Sequence, residues 1–221
     1  MIKLITMLTH NDVTVKEAKE VFLGCADLPC EFWGFKDVGL PKDEMRDLAS
    51  LMRDKGKTTF LEVVTLSEEG GLEGARLAID CGFDYLLGTL YFDSVMKLFA
   101  GAKTRYLPFI GKVRGHPSIL EGTPGEIAAD GLRVQKAGAH GVDILAYRNR
   151  EKPAEIVAEL VKTLDIPVCV AGSIDDFSRI DEVKRLDPWS FTIGGAFFEK
   201  RFRPNGDFRG QIAAVLEHIG E

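Results

Sequence analysis

Two glycine turns in the last quarter of the chain have the residue types and the spacing of an anion-binding site. Gly172 and Ser173 follow one short apolar segment, and Gly194 and Gly195 follow the next one. Glycine has no Cβ atom, so the backbone N–H groups of such a turn can approach a ligand closely. The segment after Gly195 can begin a helix, whose first N–H groups favour an anion. We predict that these four residues bind a phosphate group.

Glu62 is a carboxylate inside an apolar, strand-like segment and could do acid–base chemistry. Strand alternation would turn Phe60, Glu62 and Val64 to one side, and Leu61 and Val63 to the other. A buried charge is costly unless it is paired or lies at a cavity. We therefore predict that Glu62 acts as a general acid or base. The alternative is a structural ion pair.

Further acid–base and cationic groups end other predicted strands. Lys112 closes the fifth strand and is expected to face Glu62 across the site. Lys36 and Asp37 end the second strand and supply another cation and another carboxylate. His10 ends the first strand, and an imidazole can act as an acid or a base near neutral pH. All are catalytic candidates, although each lysine could instead be a solvated charge at the rim.

A second set of polar residues suits contacts with a substrate. A hydroxyl at a strand end can bind a sugar or phosphate oxygen, and cationic side chains in loops can bind a carboxylate or a second phosphate. For the loop cations, a surface role is the alternative. The predicted substrate-binding residues are Thr89, Arg114, His116 and Arg148.

These residues need a scaffold, and the chain repeats a strand followed by a helix eight times. Strands that are apolar on successive residues are typical of a parallel sheet buried on both faces. Eight such units in 221 residues favour one α/β domain, residues 1–221, folded as a (β/α)8 TIM barrel with the phosphate-binding loops after strands seven and eight. The predicted strands are Leu4–Leu8, Glu31–Lys36, Thr58–Thr65, Tyr85–Gly88, Tyr106–Lys112, Val142–Ala146, Val168–Ala171 and Phe191–Ile193.

The barrel also indicates which carboxylates to set aside. Chemistry in this fold lies at the C-terminal ends of the strands. Asp84 and Asp143 each follow a Gly-x pair at the start of a strand. We therefore predict that both have structural roles in turns.

Composition narrows the functional classes. A net charge of −6 argues against a general nucleic-acid surface. No run of eighteen apolar residues occurs and the N-terminus leads directly into a strand, so neither a membrane span nor a signal peptide is expected. The four cysteines lack the spacing of a zinc site, and nothing calls for a metal or another cofactor. We expect a cytoplasmic protein whose partner is a small phosphorylated metabolite, with a homodimer left open.

Three segments carry a family resemblance: Cys-Gly-Phe-Asp-Tyr-Leu-Leu-Gly-Thr-Leu (81–90), Val-Ala-Gly-Ser-Ile (170–174) and Thr-Ile-Gly-Gly-Ala (192–196). They resemble the phosphate-binding barrels of the ribulose-phosphate-binding superfamily. That group includes isomerases of histidine and tryptophan biosynthesis, sugar-phosphate epimerases, decarboxylases and some aldolases. The segment 81–90 is also similar to N-acylmannosamine-6-phosphate 2-epimerases, but Ala171 stands where those enzymes have a catalytic glutamate, so their activity is not carried over. Strand two likewise lacks the Asp-x-Lys-x-x-Asp array of the orotidine-phosphate decarboxylase type.

Three functional hypotheses follow from these residues. The leading one is an isomerase or epimerase that abstracts a proton next to the carbonyl of a phosphosugar or phospho-metabolite, with a lysine stabilising the enolate. The second is an aldolase or lyase in which Lys112 or Lys36 forms a Schiff base. The third is a non-catalytic barrel that senses a phosphometabolite, because a fold alone does not imply a function.

Overall fold

A closed barrel of eight parallel strands forms the centre of the protein. The computed structural model describes residues 2–115, 118–149 and 151–220. The strands are β1 Lys3–Met7, β2 Phe32–Lys36, β3 Thr58–Val63, β4 Tyr85–Leu90, β5 Arg105–Phe109, β6 Val142–Ile144, β7 Val168–Val170 and β8 Ser190–Ile193. In space they follow the order β1-β8-β7-β6-β5-β4-β3-β2, with β1 pairing β2 to close the ring. The predicted (β/α)8 barrel is therefore confirmed.

Helices cover the outside of this barrel. Several begin at the side chains that favour helix starts: Thr123 and Glu126 form a reciprocal capping box, and Asp176 accepts a hydrogen bond from the Arg179 backbone. The helices are α1 Ala18–Leu23, α2 Lys42–Asp54, α3 Glu68–Asp80, α4 Asp93–Leu98, α5 Pro124–Lys136, α6 Pro153–Thr163, α7 Phe177–Leu186, α8 Gly195–Phe198 and α9 Phe208–Ile219. Within the described ranges, no helix combines the length and apolar character needed to cross a membrane.

Side-chain alternation along β3 separates the barrel interior from the helix layer. Phe60 belongs to the interior apolar cluster, whereas Leu61 and Val63 pack in the outer core. Glu62 follows Phe60 on the inward face and reaches the cavity at the mouth, as predicted. The lower interior is filled by aromatic rings, with Phe60 stacked on Tyr85 at 4.7 Å. A ligand therefore reaches the charged residues from the C-terminal end of the strands.

The fifth strand differs from the prediction. It ends at Phe109, and Gly111 has a φ of +79°, which turns the chain away from the barrel. The next residues form an antiparallel hairpin of two short strands, Lys112–Arg114 and Ile119–Glu121. Lys112 consequently leaves the barrel wall before its side chain can point inward.

Candidate active site at the barrel mouth

A cavity of about 500 Å³ opens at the C-terminal ends of the strands. It is lined by the predicted glycine turns and by charged side chains, with Lys36, Glu62 and Arg148 among them. The barrel thus brings together residues that are more than 150 positions apart in sequence. Among the residues described, no three or more His, Cys, Asp or Glu side chains converge as metal ligands would.

Lys36 is the central cation of this cavity. It ends β2 and is only 8% exposed. Its Nζ atom donates to Oδ1 of Asp12 at 2.8 Å and lies 3.5 Å from Oε1 of Glu62. The hydroxyl of Thr14 donates to the Lys36 carbonyl and accepts from the Lys36 N–H, which fixes this strand end. Burial by itself lowers the pKa of Lys36, but the charges of Glu62 and Asp12 outweigh it and raise the pKa, so the amine is held as an ammonium.

Asp12 is a site residue that the sequence analysis missed. It lies after β1 in a left-handed turn, with φ values of +51° at Asn11 and +62° at Asp12. Its Oδ1 atom also accepts from Nη2 of Arg148 at 3.4 Å. Burial raises the pKa of Asp12, but the hydrogen bond and charge of Lys36, followed by Arg148, bring it below its usual value. The sequence signal was an Asn-Asp pair directly after a predicted strand, a pattern that usually marks a simple turn.

Arg148 lies in the cavity, in a short 3-10 turn after β6. Its Nη1 atom donates to the carbonyl of Ser118 in the hairpin at 3.2 Å. Its aliphatic part packs on Gly172, where a Cβ atom would lie 3.0 Å from Cγ of Arg148. Gly172 also has a φ of +81°, so glycine is required there on both counts.

The two glycine turns lie next to each other along the cavity wall. Gly172, Ser173, Gly194 and Gly195 all line it, and their backbone N–H groups have no hydrogen-bond acceptor within the described part of the chain. A Cβ atom at Gly194 would lie 2.4 Å from Oγ1 of Thr9, whereas one at Gly195 would have ordinary contacts of 3.7 Å or more. Unpaired N–H donors around one cavity suit an anion.

Asp143 proves to be an interior residue, so its predicted role in a turn is wrong. It lies within β6, in register with Phe109 of β5 and Cys169 of β7, and it is fully buried. Neither of its carboxyl oxygens has a hydrogen-bond partner among the described residues. Burial, reinforced by the charge of Glu62, raises the pKa of Asp143 well above its usual range. Burial thus favours the neutral form of this carboxyl. Asp84, by contrast, accepts hydrogen bonds from the backbone and hydroxyl of Thr59, as its predicted turn role requires.

The structure does not bring Lys112 and Glu62 together. Lys112 is exposed at the base of the hairpin and borders a different cavity, beside Glu126. Arg114, in the same hairpin, is exposed and ion-paired with Glu121. The expectation for Lys112 depended on the fifth strand continuing to residue 112, and the turn at Gly111 removes that basis. His116 lies outside the described residues.

Three other candidates are displaced from the cavity lining. Asp37 accepts a hydrogen bond from the Val64 backbone at 3.1 Å and links β2 to the loop after β3. Thr89 is fully buried and turned outward, because its hydroxyl faces the Gly71 backbone in α3. His10 lies beside Gly195 and 3.8 Å from Glu199, near the glycine turns but not next to Lys36.

Comparisons with known proteins identify the fold. No protein-family model and no curated protein matches this chain. A structure described as native KDPGal has a TM-score of 0.67 at 13% identity, covering 99% of this chain and 96% of that one. The tryptophan synthase alpha chain of Legionella pneumophila gives 0.68 at 12% identity, covering 99% and 92%. An N-acetylmannosamine-6-phosphate 2-epimerase from Clostridium perfringens gives 0.66 at 12% identity, covering 98% and 93%. The predicted resemblance to the (β/α)8 barrels of the ribulose-phosphate-binding type is thus confirmed at the level of the fold.

Proposed function

We propose that this chain is an isomerase or epimerase that holds a small phosphorylated carbonyl compound in the barrel mouth and moves a proton next to the carbonyl. One observation carries the proposal: a single cavity joins the N–H groups of two glycine turns to a buried lysine flanked by two carboxylates. The glycine turns would bind the phosphate, and the charged cluster would act on the other end. The epimerase of similar fold is itself named for a phosphorylated compound.

In the proposed step, Glu62 is the base. Its contact with Lys36, at 3.5 Å, is longer than a normal N–H···O hydrogen bond, which leaves the carboxylate available to a substrate. The C–H bond next to the carbonyl breaks, the proton goes to Glu62, and the electron pair moves to the carbonyl oxygen. The ammonium of Lys36 stabilises the resulting enolate. Return of that proton from Glu62 to a carbon of the enolate completes the reaction.

Schiff-base chemistry is the competing proposal, and Lys36 would have to carry it. A Schiff base forms from a neutral amine. Asp12 and Glu62 keep Lys36 charged, which favours an electrostatic role for it. Lys112 borders a different cavity and has no part in this proposal.

Solvent exchange tests the proposed reaction directly. The protein is incubated in D2O with a panel of aldose and ketose phosphates, and the loss of C–H signals is followed by NMR. Exchange next to the carbonyl of a bound phosphosugar is the expected result. Borohydride trapping of a phosphosugar on Lys36 would instead establish the lyase. Binding of phosphosugars with neither exchange nor trapping would point to a sensor.

A further inference from the structure

The charges that line the cavity restrict the chemistry of its ligand. Among the residues described, the charged side chains on its wall are two cations and four carboxylates. Lys36 lies between Asp12 and Glu62, and Arg148 extends from Asp12 to the turn at Gly172. The charged lining residues are Lys36, Arg148, Asp12, Glu62, Asp175 and Glu199.

Both cations are already neutralised by carboxylates of the protein. Lys36 is bound by Asp12 at 2.8 Å and by Glu62 at 3.5 Å. Nη2 of Arg148 donates a hydrogen bond to Asp12, and Nη1 donates one to the Ser118 carbonyl. The charges of these two cations and two carboxylates sum to zero. Neither carboxyl oxygen of Asp143, the buried acid of β6, has a hydrogen-bond partner among the described residues, so Asp143 pairs with neither cation.

The carboxylates near the glycine turns differ in how far they are paired. Asp175 is bound by Arg179 at 2.8 Å and by Arg201 at 3.7 Å, so its charge is compensated from outside the cavity wall. Glu199 has His10 at 3.8 Å and is about half exposed. Asp175 and Glu199 are both acidic, so neither can pair with an anionic group of a ligand. A phosphate can be held by the open backbone N–H groups, but a second anionic group would meet no unpaired cation among the described lining residues.

We propose that the ligand carries a phosphate as its only anionic group, and that its reacting end is an uncharged, hydroxylated chain rather than a carboxylate or a second phosphate. This inference rests on the proposed function and specifies its substrate class. Asp12 is the residue that excludes a second anionic group, because its Oδ1 atom accepts hydrogen bonds from both Lys36 and Arg148. A ligand carboxylate would have to displace Asp12 or remain unpaired in a partly buried site, and both outcomes weaken binding.

Two ligands of similar size test this inference. Glycerol 3-phosphate has a neutral tail, and 3-phosphoglycerate has a carboxylate in its place. Calorimetric titration of the whole chain should give glycerol 3-phosphate a Kd lower by about tenfold or more. Asp12→Asn removes the negative charge that both cations share and keeps the side-chain shape, so the ratio should fall to about threefold or less. Inorganic phosphate should bind that variant and the wild type alike.

Matched variants separate a local effect from net charge. Asp27→Asn removes the same charge from an exposed ion pair with Arg209 and should keep the wild-type ratio. Glu62→Gln frees Lys36 in part and repeats the test if Asp12→Asn does not fold. Equal affinity of the wild type for both ligands would overturn the inference while leaving the proposed function standing. An unchanged ratio in Asp12→Asn would also overturn it. Failure of phosphate and of both esters to bind would remove the proposed function itself.

Discussion

Lys36 and Glu62 lie side by side on adjacent strands. They are register partners of β2 and β3, and Nζ of one lies 3.5 Å from Oε1 of the other. Partners in a parallel pair point to the same face of the sheet. Once Glu62 faces the barrel interior, Lys36 must face it too. The reacting pair that we propose is therefore built from neighbouring strands rather than from strands opposite each other.

Removing the Lys36 ammonium should destabilise the fold. Lys36→Met leaves Asp12 and Glu62 without their shared cation, and the free energy of unfolding should fall by about 1–3 kcal/mol. Urea denaturation measures this change. Lys152→Met breaks an exposed ion pair with Glu155 and should cost about 0.5 kcal/mol or less. Equal effects of the two substitutions would mean that the Lys36 contacts contribute no more than a surface pair.

Replacing the proposed base should separate binding from turnover. Glu62→Gln preserves the side-chain shape but cannot accept the proton, so solvent exchange of the phosphosugar should slow by about a hundredfold or more. The affinity for inorganic phosphate should stay within about twofold, because the glycine turns are unchanged. Glu121→Gln, which alters an ion pair in the hairpin, is the matched control. Normal exchange in Glu62→Gln would transfer the role of base to Asp12.

Two neighbouring glycines should respond differently to alanine. At Gly194 a methyl group would collide with Thr9, so Gly194→Ala should lower the melting temperature by about 3–10 °C and weaken phosphate binding. Gly195→Ala has room for its methyl group and should keep the wild-type melting temperature. The rise in melting temperature on addition of phosphate should be lost in Gly194→Ala. The control is Gly125→Ala, at a glycine with open space around it. A full phosphate response in Gly194→Ala would place the anion elsewhere.

The buried acid should make stability depend on pH. Burial raises the pKa of Asp143 in the folded protein, whereas in the unfolded chain the carboxyl ionises near pH 4. Below about pH 4 this group has no effect on the pH dependence of stability, and as the pH rises toward the folded-state pKa the free energy of unfolding falls by about 1.4 kcal/mol per pH unit. Asp143→Asn cannot ionise, so its stability relative to wild type should increase as the pH rises above about 4. Urea titrations at several pH values measure the difference, and a constant difference would show that Asp143 is charged in the fold.

Local patterns in the sequence were sufficient for the architecture. Repeated apolar strands and amphipathic helices predict a parallel barrel, because each segment must bury the faces that its own periodicity makes apolar. The inward orientation of Glu62 follows from alternation within a single strand. The glycines after β7 and β8 mark places where the backbone makes a tight turn. All of these inferences require only residues that are close together along the chain.

Contacts between strands were decided by the tertiary structure. Lys36 pairs with Glu62 because of the register between β2 and β3. Lys112 lies outside the cavity because β5 ends at Phe109. Asp12 reaches both cations only because its left-handed turn faces the loop after β6, which lies 136 residues further along the chain. Asp143 faces the interior because its register partner Cys169 in β7 does so. Register and strand ends depend on the packing of the whole closed barrel, so the pattern within each segment does not contain them.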